Sequence, residues 1–136
     1  MMQSQIRAAL EVRLNAFAKE EGLPIAWEGR AFKPIAGQSH LRAFVMPATS
    51  GSNDLAGQHR LYRGVFQVDL VMVSGAGMGD IERKAAQIIA HFPKNLRLTV
   101  ADRFVQLISV MSMGPKLPQD GFVAVPLTSY YRMDVI

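Results

Sequence analysis

Apolar residues recur at Ile6, Leu10, Leu14 and Phe17, one stripe at the helical period, and predict an α-helix over residues 4–21. Ser4 offers a hydroxyl to its first turn, Gly22 supplies a left-handed stop, and Pro24 bars continuation. The period then changes to two. Short extended pieces at 25–28 and 31–33 flank Gly29, and Pro34 blocks further pairing. Residues 41–46 read as a strand, with Leu41, Ala43 and Val45 on one face and Arg42, Phe44 and Met46 on the other. The longest alternating run is 61–73, where Phe66, Val68, Leu70 and Met72 should face a core. A second helical stripe (Ile81, Ala85, Ile88, Ile89 and Phe92) covers 80–92 and stops at Pro93. Asp80 and Glu82 sit at its positive end and His91 at its negative end. Residues 96–100, 104–113 and 122–135 complete the chain as strands, with Pro126 marking an edge or a bulge. The prediction is an α+β fold: a mostly antiparallel β-sheet packed by two α-helices, in the order α-β-β-β-α-β-β-β.

Residues 48–60 interrupt this pattern. They are small and polar, with two glycines and an isolated Leu55. A connection this long without periodicity is uncommon inside a compact domain. Two readings stand: a flexible hairpin loop, or a segment that orders against a partner.

With 136 residues the chain is expected to be one domain over 1–136, large enough to bury a core without staples. Its lack of cysteine excludes a disulfide framework, a thiolate nucleophile and a cysteine zinc site. The first residues carry Arg7, Glu11 and Arg13 with no continuous apolar stretch, so no secretory signal is expected. No apolar run approaches the ~18–20 residues of a membrane span. The net charge of +4 permits an anionic partner, but the basic residues are scattered and no three are consecutive.

Candidate chemistry is sparse. The stretch 74–79 is glycine-rich between a strand and a helix, yet the sixth position of a dinucleotide fingerprint from Gly75 is Asp80, which repels an anion. No Gly-Lys-Ser/Thr follows it, and no G-x-S-x-G elbow occurs anywhere. Of the three histidines, His91 reads as a helix-dipole partner. His40 and His59 flank the long loop, and a zinc site there would need a third ligand such as Asp54. Stacking on nucleic acid would use Tyr62, Phe66, Tyr130 or Tyr131 beside Arg63 and Arg132, but cross-strand aromatic packing is the simpler reading. No catalytic, cofactor-binding or metal-binding residue is assigned, and no enzyme is expected.

The punctuation Trp27-x-x-x-x-Phe32-x-Pro34, followed by the strand from His40 to Ala48, the long strand and the second helix, resembles the tail terminator proteins of long-tailed bacteriophages. These are the lambda minor tail protein U group and its prophage relatives. Gly29-Arg30 stands where an Asn is common in that group. The resemblance implies a non-enzymatic virion protein that caps the tail tube as a ring, a hexamer on assembly, and offers the head–tail joining surface. It implies as partners further copies of the chain, the major tail tube protein and a head–tail connector, with DNA passing through the lumen unbound and no membrane. It places the protein in the virion tail, and in the host cytoplasm before assembly. The long loop would face a neighbour or the tube, so the contact residues expected are Ser50, Asn53, Asp54, His59 and Arg60, with Arg42 and Arg63 on the flanking strands. Three rivals are a head–tail connector or neck protein, a small nucleic-acid-binding α+β module, and a small hydrolase, which would need a concave pocket with convergent polar groups.

Overall fold

A computed structural model describes residues 2–48, 60–75 and 77–135. Helix α1 (Met2–Glu21) is followed by strands β1 (Ile25–Trp27), β2 (His40–Pro47) and β3 (Arg60–Val73), then helix α2 (Met78–His91). Strands β4 (Arg97–Val100), β5 (Arg103–Leu107), β6 (Ser112–Met113), β7 (Leu117–Gln119) and β8 (Phe122–Val135) follow. The expected α+β order holds, with β6 inside the strand expected over 104–113 and β7 as a short addition. The sheet runs β1-β2-β3-β8-β5-β4, and β6 and β7 pair along β8 beyond the end of β5. All pairings are antiparallel except β1 with β2, which is parallel.

Both helices press their apolar stripes on one face of the sheet. Ile6, Leu10, Leu14 and Phe17 of α1 and Ile81, Ala85 and Ile88 of α2 join Leu41, Val45, Phe66, Val68, Leu70, Val125 and Leu127 in a single core. Helix α1 begins two residues before Ser4, so Ser4 lies inside its first turn and not at the cap. It stops as expected: Gly22 adopts φ 67°, the Leu23 N–H donates to the Ala18 carbonyl at 2.9 Å, and the Gly22 N–H reaches Lys19 at 3.4 Å. His91 does more than complement a dipole. Its ring nitrogen meets the Arg13 carbonyl at 2.9 Å while Arg13 Nε donates to the His91 carbonyl at 2.7 Å, which ties the helices to each other.

Two expected strands are cut short by side chains that take over backbone partners. After Trp27 the chain turns at Gly29 (φ 76°), and residues 31–33 form no strand. The Glu28 carboxylate instead accepts the Val45 N–H at 2.9 Å and pairs with Arg7 at 2.7 Å. Burial pushes the Glu28 carboxyl up, but the Val45 N–H and Arg7 outweigh it and hold it below its ordinary value. The strand expected over 104–113 is likewise divided after Leu107. Ser109 Oγ accepts the Tyr130 N–H at 2.9 Å, and Ser129 Oγ donates to the Ser109 carbonyl at 3.0 Å.

Gly64 lets the long strand pass its neighbours. A Cβ there would collide with the Met46 carbonyl oxygen and stand 2.6 Å from the Tyr131 hydroxyl. Tyr131 is fully buried in the core, where its hydroxyl accepts a bond from Gln3 Nε2 at 3.0 Å. Burial pushes this phenol above its ordinary value, against the pull of Gln3 and Arg7.

Candidate assembly interface

Alternate residues of the same strands point away from the helices. From β2 these are His40, Arg42, Phe44 and Met46, and from β3 Arg63, Val65, Gln67, Asp69 and Val71, paired in register. Their partners on β8 include Ala124, Thr128, Tyr130 and Arg132. Neither helix among the described residues covers this side, and its two ends differ.

One end is roofed. His40, Val71 and Ala124 form a buried rank. The His40 ring lies 4.9 Å from Phe32 and 5.4 Å from Phe122. Its Nδ1 is buried with no hydrogen-bond partner among the described residues. Burial pushes His40 below its ordinary range, Arg42 pushes the same way, and the backbone at Gln38 pulls back. This ring packs between Phe32 of the 28–39 segment and Phe122 at the start of β8. In the next rank Arg42 pairs with Asp69 at 3.0 Å and donates to Gln119 Oε1 at 3.3 Å, while Gln67 Nε2 donates to Asp69 at 2.7 Å.

The other end is open. Met46, Val65 and Tyr130 form a cross-strand rank, and the Ile108 N–H donates to the Tyr130 carbonyl at 2.9 Å. Tyr130 is 57% exposed, Ile108 43% and Met46 40%, although each is large and apolar. Beside them lie Arg63 and Arg132, directly opposite each other. The Asp134 carboxylate receives two bonds from Arg132, at 2.9 and 3.2 Å, and raises that guanidinium's pKa further.

Of the contact residues expected from sequence, Arg42 and Arg63 fall on this face and Arg60 is exposed at the start of β3. Arg42 is spent in the Asp69 pair, whereas Arg63 meets no carboxylate among the described residues. Ser50, Asn53, Asp54 and His59 lie outside the described residues, and so does the rest of the 49–59 segment. The Ala48 N–H donates to the Arg63 carbonyl at 2.8 Å, so the stem of that connection reaches the open end. The aromatic set divides: Phe66 and Tyr131 are buried in the core, while Tyr130 is exposed. Sequence reasoning missed Ile108 and Phe104 as surface residues because 104–113 read as one continuous strand.

The remaining chemistry stays thin. At the glycine turn, Gly77 precedes α2 with no side-chain cap, and Asp80 pairs with Arg83 at 2.7 Å where an anion would sit. Among the described residues no group of three or more His, Asp or Glu is placed to hold a metal. No helix among them is long and apolar enough to cross a membrane. The hollows along the surface are shallow, one of them about 990 Å³ beside Pro34, Ser74 and the turn at Asp120.

A family model described as phage tail terminator protein matches residues 5–131. The chain belongs to the phage tail terminator family. A solved structure that bears no functional name is similar over 98% of this terminator chain and 96% of its own, at 42% identity and a TM-score of 0.82. A second, from the virion of a native gene transfer agent particle, covers 98% of this chain and 97% of its own, at a TM-score of 0.69 and 13% identity, and shares the fold. No match is found among curated proteins. Tail terminators are structural virion proteins, so the bare face of this one belongs to a part of a phage tail that works beside other virion proteins.

Proposed function

We propose that this terminator caps the end of the tail tube as a hexameric ring and there offers the surface that joins the head. The family match over nearly the whole chain carries this reading. The shape of the sheet supports it. Its terminal strands β1 and β4 are unlike edges at opposite ends of the strand order, and a head-to-tail ring needs two different, complementary patches. The open end of the bare face is a third surface, free for an unlike partner along the tail axis. DNA passes through the lumen without specific binding, and the free subunit waits in the host cytoplasm.

The connection over 48–60 acts at a subunit or tube contact, through Ser50, Asn53, Asp54, His59 and Arg60, with Arg42 and Arg63 beside it. Negative-stain microscopy of the purified chain mixed with tail tubes tests the reading. A ring on one end of each tube is expected; tubes that remain uncapped, or binding to portal complexes alone, would replace it with a neck role. Replacing residues 50–58 by a short glycine linker should leave the subunit folded but abolish ring formation. Normal capping by that variant would refute the role of the loop.

A further inference from the structure

Arg63, Arg132, Gln106 and Arg97 are successive partners across β3, β8, β5 and β4. Their side chains therefore rise from the bare face in one rank. At ~4.8 Å per strand the rank runs roughly 14 Å. Placing like charges directly opposite, as with Arg63 and Arg132, weakens an antiparallel pair. Asp134 answers Arg132. Arg97 lies over the Phe104 ring at 4.6 Å, which fixes the guanidinium without neutralising it. Arg63 meets no carboxylate among the described residues, so among them the rank keeps a positive surplus.

What surrounds the rank identifies the class of partner. On one side stand exposed Tyr130 and Met46, and on the other Phe104, 45% exposed. Arginine beside exposed Tyr, Phe and Met is the composition of protein–protein contact centres. A phosphate track would gain nothing from Met46 or Ile108. We infer that this rank docks an acidic surface of a different virion protein, with carboxylates against Arg63 and Arg97 and apolar side chains against Tyr130. A second copy of this chain is a poor source of that surface: among its described helix and turn acids Glu11 and Glu28 pair with Arg7, Glu21 with Lys84, Asp80 with Arg83 and Asp102 with Arg103, and the others, Glu20, Glu82 and Asp120, are scattered over α1, α2 and the turn before β8 and form no cluster. The inference rests on the tail-capping reading and adds to it the face used and the charge of the partner.

Cosedimentation of the full chain with tail tubes, and pull-down with the connector protein of the same phage, test this at low and high salt, with a short DNA duplex in parallel. The variant Arg63→Glu/Arg97→Glu changes two surface side chains, and Arg63→Gln/Arg97→Gln replaces it if the acidic pair impairs folding. Wild type should bind tube or connector, more weakly at high salt, and the variant should lose about tenfold or more in affinity while copies still associate with one another. Equal binding by the variant overturns the inference and leaves capping intact. Duplex binding abolished in the variant, with protein binding kept, gives the rank to nucleic acid instead. A wild-type chain that binds neither tube nor connector removes the capping reading and this inference with it.

Discussion

The two faces of strand β3 are built from the same backbone and answer to different demands. Phe66, Val68 and Leu70 are sealed against both helices, and a change in any of them is felt by the whole core. One residue along in each case, Val65, Gln67 and Asp69 face a side that neither α1 nor α2 covers. Packing within the chain accounts fully for the first set. For the second it explains the roofed end, where His40 and the Arg42–Asp69 pair have partners, and leaves the open end around Arg63 and Tyr130 unaccounted for. A soluble monomer has no use for a large exposed tyrosine beside Ile108 and Met46, whereas a subunit that must meet other subunits does.

The sharpest way to break the comparison is to cut the covered face. Leu10→Ala or Leu127→Ala empties a fully buried site and should cost about 2–5 kcal/mol, read from urea unfolding. A loss below that of an ordinary surface change would mean that the helices do not seal this face. Gly64→Ala comes next. The added methyl meets the Met46 carbonyl of β2 and the Tyr131 ring of β8, so roughly 1–3 kcal/mol should be lost, and a neutral result would mean that β3 lies less close to these two neighbours.

The roofed end responds to pH. His40 is held below its ordinary value of 6.5, so the unfolded chain binds the proton more readily than the folded one. Its contribution to stability is complete above that value and is lost as pH falls through the lowered one. In paired thermal melts, His40→Gln should flatten this acid-side decline relative to wild type; parallel curves would show that the ring is not held neutral. Glu28 follows the same direction at lower pH, because its carboxyl is also depressed from 4.5 and its share vanishes as it protonates. As a partly exposed pair with Arg7 it is worth little: Glu28→Gln should cost about 0.5–1 kcal/mol near neutrality and nothing in acid. A constant cost across pH would assign the effect to the Val45 hydrogen bond alone.

Most of the covered side is legible in the sequence. The stripes of α1 and α2 and the alternation of β3 and β8 are long enough for periodicity to decide them, and the residues they nominate are the core. The breaks are not legible there. Whether Ser109 interrupts a strand depends on Tyr130 and Ser129 lying alongside, and whether Glu28 ends β1 depends on Val45 and Arg7. The assembly surface is harder still. Arg63 and Arg132 are visible as basic residues near aromatics, but the rank they form with Arg97 exists only once three strand pairings fix the register. Phe104 and Ile108 look like core residues in a one-dimensional pattern because nothing local states which face the helices cover.

One measurement bears on the difference between the faces more directly than any other. Tyr130→Ser combined with Ile108→Ser removes the apolar centre of the open end and nothing from the core. Unfolding and tube capping are then read on the same preparation. The expected result is a stability within about 0.5 kcal/mol of wild type and tubes left uncapped. A variant that caps tubes as wild type does, or that unfolds like a core mutant, would contradict it.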